Sequence, residues 1–199
     1  VQRIAVVNRS SNTVSSQVLS LFFEETIKLK QPRFEIIDSG AAQMAFQKMG
    51  TTMGEPLGGP SLVRYCKDLS VDAIVALEDG QIKGKWETSE YTESVTKTET
   101  VTVDGKSEEQ EVTREIVRYH AAYNADATAE WTMYSCKGDS IDSKIIRISD
   151  TWNGDGSSRI EAKDDAGDGE EIKMSISAVL AMGYLTRISP YEIEVERPV

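Results

Sequence analysis

The segment that most constrains the fold is residues 3–38, because it predicts a strand, a helix and a second strand joined by short connections. Residues 4–7 form a continuous apolar run, which is typical of a strand buried on both faces. A polar segment follows at residues 8–12. From residue 14 to residue 29 the apolar side chains recur at helical spacing, and residues 34–37 return to a strand pattern. Connections this short predict that the two strands are parallel neighbours with a right-handed crossover.

The central part of the chain predicts more helices, a third apolar strand and a long hairpin. Helical spacing recurs at residues 41–49 and 61–69, and an apolar strand follows at residues 71–77. Residues 86–114 are rich in Thr, Glu and Ser, and Asp104-Gly105 between two β-branched runs predicts a tight turn. The pattern indicates an antiparallel ribbon whose base is packed and whose tip is solvated.

The last third of the chain completes the predicted fold with an antiparallel pair, a loop, a helix and a strand. We expect the antiparallel pair at residues 130–135 and 144–149, and an acidic, Gly-rich loop at residues 153–169. The helix begins at the Asp168 cap, carries its apolar stripe over residues 172–184 and is ended by Pro190, and the strand follows at residues 191–195. Together the elements predict an α/β (α+β) fold with a mixed β-sheet, helices packed on it and a long protruding antiparallel β-hairpin. The sequence predicts a single domain over residues 1–199, with the hairpin extension at about 83–124.

Charge and hydropathy exclude several classes of function. The net charge of −11 makes nucleic acid and anionic membrane surfaces unfavourable partners. No apolar run reaches the roughly 18 residues that a membrane helix requires. The chain starts at Val1 without a methionine, and we interpret this as a missing N-terminal segment such as a signal peptide.

The sequence contains two cysteines, Cys66 and Cys136. Two cysteines are too few for a disulfide framework, although they can form one bridge. We expect two separate buried thiols, because buried free cysteines behave as small apolar side chains and are the commoner case.

The loop after the first strand carries a candidate ligand site at Arg9, Ser10 and Ser11. Such a loop lies at the carboxyl end of a buried strand and before a helix, where α/β folds bind anions with free amide hydrogens. The sequence lacks a Gly-x-Gly-x-x-Gly or Gly-Lys-Ser/Thr motif there. We therefore favour ordinary helix capping, in which Ser11, Asn12 or Thr13 accepts from the first amides of the helix.

A weaker candidate is a calcium site in the acidic segment after residue 152. Its oxygen ligands would come from residues near calcium-loop spacing, namely Asn153, Asp155, Ser157, Glu161 and Asp164. Ser158 stands where that loop needs Gly, and Asp164 replaces the bidentate Glu. A solvated acidic loop is the preferred interpretation, so the sequence predicts no metal.

Catalytic chemistry finds little support in the sequence. His120 is the single histidine, and no motif places a Ser or Cys nucleophile near it. Acidic residues are abundant, but nothing selects a pair of carboxylates for glycoside chemistry. We predict neither an enzyme nor a cofactor. A concave pocket lined by Trp86, Trp131 or Trp152 would instead favour carbohydrate binding.

The ends of the chain carry a family resemblance. Residues 3–10 read RIAVVNRS and residues 183–191 read GYLTRISPY. These segments resemble an uncharacterised family of cell-envelope lipoproteins from Gram-negative gut anaerobes. The order of elements is also distantly similar to the periplasmic domain of curli-secretion lipoproteins, penicillin-binding-protein activators and the N-terminal domain of the Tol-system translocation protein. The resemblance implies export, a lipidated N-terminus upstream of Val1 and a non-catalytic role.

The chain departs from the curli-secretion pattern in its hairpin. Those proteins insert hairpins into the outer membrane, which requires an apolar face toward lipid. Residues 86–114 would place Glu and Lys there, at a cost of a few kcal/mol each near the bilayer midplane. A pore-forming role is therefore disfavoured. The absence of a catalytic constellation and the length of the polar hairpin predict a protein that binds another protein through the ribbon or an exposed sheet edge. The resemblance implies that it does so on the periplasmic side of the cell envelope. The alternatives are a small-ligand or carbohydrate-binding domain and a hydrolase.

Overall fold

The computed structural model describes residues 2–29, 34–37, 39–49, 57–103 and 106–189. The turn predicted at Asp104-Gly105 and the strand predicted at residues 191–195 lie outside these residues. The chain divides into two compact units. Unit 1 comprises residues 1–83, 126–149 and 173–199, and unit 2 comprises residues 84–125 and 150–172. The single domain expected from the sequence, with its extension at about 83–124, stays a prediction.

The predicted strand–helix–strand unit is confirmed. It consists of β1 (Gln2–Asn8), α1 (Thr13–Lys28) and β2 (Phe34–Ile36), and β1 and β2 pair in parallel. β1 also pairs in parallel with the start of β3 (Ala73–Val103), from Ile4 opposite Ala73 to Asn8 opposite Leu77. The four apolar residues of β1 are at most 1% exposed. The continuous apolar run is therefore explained by burial on both faces.

The described strands form one five-stranded mixed sheet in the order β2-β1-β3-β4-β5. The remaining elements are α2 (Ser39–Lys48), α3 (Gly59–Leu69), β4 (Lys106–Ser135), β5 (Ser140–Gly156), α4 (Arg159–Ala166) and α5 (Gly169–Ile188). This confirms the predicted α/β class with a mixed sheet. In the described part of the chain, no helix is both long and apolar enough to cross a membrane.

The sheet of unit 1 is covered on both faces. Ala5 and Val7 of β1 belong to one apolar cluster, which also contains Phe46 of α2 and Tyr65 of α3. Successive side chains of a strand point to opposite faces, so Ile4 and Val6 face the other side. There Trp131 is completely buried, with its ring 5.2 Å from the ring of Tyr184 and 5.0 Å from that of Phe22.

The prediction of an acidic loop at residues 153–169 is wrong, because a strand and a helix occupy most of this segment. β5 continues to Gly156, and α4 begins at Arg159 after Ser158, whose side chain accepts from the amide of Glu161 at 3.2 Å. A Cβ at Gly154 would lie 2.2 Å from the amide nitrogen of Ala166. The glycines of β5 therefore allow the backbones of α4 and β5 to approach each other closely. They do not form the loop that we expected.

The expectation of two separate thiols is also wrong. Cys66 of α3 and Cys136, just after β4, form a disulfide with their Cα atoms 5.9 Å apart. The two residues are separated by 70 positions, so their proximity depends on α3 packing beside the end of β4. Counting cysteines cannot reveal such a contact.

Removing the disulfide should lower stability substantially. A cross-link between residues 70 positions apart restricts the unfolded chain by about 4 kcal/mol in the chain-entropy model. We expect C66A/C136A to lose about that much free energy of unfolding in urea titrations. Wild-type protein with the bridge reduced should behave like the variant. Equal midpoints for oxidised and variant protein would contradict the structural role.

Candidate functional site

A polar cleft of about 450 Å³ lies in unit 1 at the carboxyl end of β1. It is lined by residues of the loop after β1 and of helices α1 and α2, namely Asn8, Arg9, Ser10, Ser11, Ser16, Leu19, Gln43, Phe46 and Gln47. The structure therefore brings all three predicted site residues, Arg9, Ser10 and Ser11, to one cleft. Whether they bind a ligand stays a prediction.

The guanidinium of Arg9 forms a buried ion pair with the carboxylate of Glu78. Its Nη1 donates to Glu78 Oε2 at 2.8 Å, and the two side chains are 3% and 13% exposed. The hydroxyl of Tyr134 donates to Glu78 Oε1 at 2.8 Å. Burial, and then this hydrogen bond, raise the pKa of Tyr134 above its ordinary value. An anion in the cleft would have to compete with Glu78 for Arg9.

A second network fixes the start of α1. The side chain of Asn12 accepts from the amide of Ser15 at 2.7 Å, which makes Asn12 the N-cap among the three predicted candidates. Its Nδ2 donates to Ser10 Oγ at 2.8 Å and to Asp79 Oδ1 at 3.0 Å. The hydroxyl of Ser10 also donates to Asp79, at 3.2 Å. This arrangement supports the capping interpretation of the loop.

At the end of β1, the side chain of Gln43 in α2 makes the backbone hydrogen bonds that a neighbouring strand would otherwise make. Its Oε1 accepts from the amide of Asn8 at 2.8 Å, and its Nε2 donates to the Asn8 carbonyl at 2.9 Å. Both backbone groups are thereby satisfied beyond the last residue that pairs with β2. The cleft thus offers neutral hydrogen-bonding groups around an internally paired cation, which suits a polar uncharged ligand better than an anion.

Sequence reasoning missed Glu78, Asp79, Gln43 and Tyr134. A signal existed for Glu78 and Asp79, because they directly follow a buried strand parallel to β1 and the carboxyl ends of parallel neighbours meet at one sheet edge. Gln43 and Tyr134 gave no such signal. Their contacts depend on how α2 packs and on the register of β4.

The second candidate surface is the ribbon of unit 2, which we define as residues 84–103 and 106–125 of β3 and β4. At the ribbon tip, residues 94–103 and 106–115, no described side chain is buried. The two arms are held by cross-strand contacts of polar side chains. Thr96 and Thr113 are 2.9 Å apart, and ion pairs at 2.9 Å join Glu99 to Arg114 and Glu93 to Arg118.

Aromatic side chains pack at the other end of the ribbon. The ring of Tyr123 lies 5.0 Å from that of Trp86 and 6.3 Å from that of Trp152. Lys163 of α4 lies over Trp86, with Nζ 5.5 Å from the ring centre. Trp131 is fully buried in unit 1, whereas Trp86 and Trp152 lie in unit 2 and pack on Tyr123.

His120 lies on the ribbon of unit 2 and contacts Asp155 of β5. Its Nδ1 lies 3.1 Å from Asp155 Oδ1, and the hydroxyl of Tyr91 donates to the same oxygen at 3.4 Å. Burial, and then the Asp155 charge, raise the pKa of Tyr91. Both cysteines are in the disulfide, so the chain has no free thiol nucleophile. The cluster is exposed on a strand surface and forms no recognisable nucleophile–base pair.

The candidate calcium ligands are distributed over two elements. Asn153 and Asp155 lie on β5, and Asp164 lies on α4. The amide and hydroxyl of Ser157 both bond to Glu161, and the amide of Asp155 donates to Asp165 at 3.0 Å. Within the described residues, no three acidic, histidine or cysteine side chains converge as metal ligands.

The two units differ sharply in charge. Unit 2 contains 17 Asp and Glu against seven Lys and Arg, a net charge of −10. Unit 1 contains 16 against 15, a net charge of −1. Nearly all of the chain's net charge of −11 therefore belongs to unit 2. A field of one sign steers partners of the opposite sign.

The ion pair in the cleft yields a stability prediction. Arg9→Met leaves the carboxylate of Glu78 largely buried without its cation, and we expect the free energy of unfolding to fall by about 3 kcal/mol. R9M/E78Q removes the unpaired charge and keeps the bond from Tyr134, so it should recover most of this loss. Urea titrations measure both variants. A double variant no more stable than R9M would contradict the assignment.

Comparison with known proteins gives a family. Residues 55–199 match the family model described as Domain of unknown function (DUF8603). The match includes α3, all of the ribbon and α5, which covers more than half of the chain. No curated protein matches the chain.

Proposed function

The chain belongs to the DUF8603 family, and we propose that it is an exported, non-enzymatic domain of the cell envelope that binds another protein through its ribbon. The observation that carries this proposal is the ribbon tip, where no described side chain is buried. An isolated two-stranded hairpin is at best marginally stable in water. A ribbon tip that adds no buried side chain to the core is best explained by contacts with a partner.

The disulfide supports export. Disulfides persist in oxidising compartments and are rare where thiols are kept reduced. The bridge between Cys66 and Cys136 therefore fits a protein of the periplasmic side of the envelope. We propose that a lipidated segment upstream of Val1 anchors it there, as the resemblance to envelope lipoproteins implies.

The charge of unit 2 suggests the chemistry of the partner. The ribbon tip carries five acidic residues against three basic ones, and unit 2 as a whole carries a net charge of −10. A basic protein surface is therefore favoured over an acidic one, and nucleic acid is disfavoured. The contact should weaken as salt is added, because exposed charges are screened beyond about 8 Å at physiological ionic strength.

Shortening the ribbon tests this function. Replacing residues 94–115 by Asn-Gly joins Glu93 to Ile116, which stand opposite each other when counted from the Thr96–Thr113 contact. A tight type I′ turn then closes the shortened hairpin in its original register. We expect an unchanged fold by circular dichroism and an intact disulfide, but loss of the proteins that the full chain captures from envelope extracts.

A second variant controls for net charge, because the deletion removes a net charge of −3. The full-length triple variant Glu24→Gln, Asp68→Asn, Glu130→Gln changes net charge by the same amount at exposed positions of unit 1. It should capture partners as the wild type does. Unchanged capture by the shortened protein would rule out the ribbon as the contact.

A small-ligand function for the polar cleft is the second candidate. The cleft of about 450 Å³ and its neutral side chains, such as Gln47 and Ser11, favour it. The shortened ribbon separates the two candidates, since it leaves the cleft intact. Loss of partner capture with ligand binding retained would assign the two activities to different units.

A further inference from the structure

The outer edge of β3 has no strand partner over most of its length. β1 pairs with β3 only as far as Leu77, opposite Asn8. From Glu78 to Val103, none of the described strands lies on that side of β3. Such an edge presents a row of unpaired backbone N–H and C=O groups, which is a template for adding another strand.

The sequence of this edge is complementary to itself when read in the opposite direction. Residues 95–101 are Val-Thr-Lys-Thr-Glu-Thr-Val. In an antiparallel pair centred on Thr98, each Val95 faces Val101 and each Lys97 faces Glu99. The remaining positions place threonine against threonine. All of these residues except the two charged ones favour β-structure, and opposite charges directly across a pair are stabilising.

The side chains of the segment are available for such a contact. Val95, Lys97, Glu99 and Val101 alternate along the strand, so they share one face. Both valines are only partly buried, and Lys97 is exposed. Glu99 accepts from Arg114 of its own ribbon at 2.9 Å, while Lys97 has no ion pair with the residues that the structure describes. A carboxylate has a second oxygen with which to bind a lysine.

We propose that two copies of this chain associate through the outer edges of β3, antiparallel and with the two-fold axis at Thr98. The pairing joins two ribbons into a four-stranded sheet and contains two Lys97–Glu99 ion pairs and two Val95–Val101 contacts. A C₂ interface requires a surface that complements itself, and residues 95–101 meet this requirement in both charge and size. An unrelated strand would not explain the symmetry of the segment.

This inference is independent of the proposed function, since it concerns the purified chain alone. The shortened ribbon lacks residues 95–101, so it should lose the dimer together with partner capture. The charge-exchange variants keep the whole ribbon and therefore test the dimer by itself. The two proposals can therefore fail separately.

Charge exchange at the central pair tests the register. K97E places two glutamates opposite each other, and E99K places two lysines opposite each other. We expect each single variant to weaken the dimer by at least about tenfold in sedimentation experiments. K97E/E99K restores both ion pairs with reversed polarity, so its dissociation constant should return close to the wild-type value.

Mixing the two single variants gives a sharper test. A heterodimer of K97E with E99K contains two complementary pairs, whereas each homodimer contains two repulsive ones. With one variant isotope-labelled, native mass spectrometry should detect mainly heterodimer. K144E and E130K, which reverse exposed charges in unit 1, should leave wild-type association unchanged.

Each outcome decides the proposal. A dimer that is weakened by the single variants, and restored in the double variant and in the mixture, supports it. A wild-type chain that stays monomeric at its highest soluble concentration overturns it. A dimer whose dissociation constant is unchanged by K97E and E99K also overturns the proposal. The same holds if neither the double variant nor the mixture restores the dimer.

Discussion

The parallel pairing of β1 with the start of β3 is the constraint on which the structure of unit 1 depends. Residues 4–7 and 74–77 are at most 1% exposed, because helices cover both faces of the sheet there. Parallel strands bring their carboxyl ends to one edge. The loop after β1 therefore meets Glu78 and Asp79 of β3, and the polar cleft forms where the two strands stop pairing. The position of the cleft is therefore set by the buried strand pairing of the core and not by a sequence motif.

The sequence predicted what depends on local pattern. Apolar runs located β1 and the start of β3, and helical spacing located α1. The strands predicted at residues 130–135 and 144–149 fall within β4 and β5. It failed where the outcome depends on contacts between distant segments. The glycines at 154 and 156 indicated a loop, although they serve the close approach of α4 to β5. Arg9 was identified as a site residue, but its burial against Glu78 required the register of β1 on β3.

Unit 2 is held together by different interactions from those of unit 1. Its ribbon is held by cross-strand threonine and ion-pair contacts, and apolar packing is limited to the aromatic end near Tyr123. Exposed ion pairs contribute little stability each, about 0.2–1 kcal/mol. The segment therefore retains a long, charged and exposed backbone edge without gaining a core. We propose that such a segment contacts other chains. The disulfide of unit 1 links α3 to the end of β4.

The central claim is that the buried parallel pair holds the fold while the ribbon tip adds little to it. Native-state amide hydrogen exchange, at concentrations where the chain is monomeric, tests this most directly. Amides of residues 4–7 and 74–77 should exchange only through global unfolding. Amides at the ribbon tip that face solvent or pair only across the hairpin should exchange at least about a hundredfold faster. Ribbon-tip amides protected as strongly as those of β1 would contradict the account.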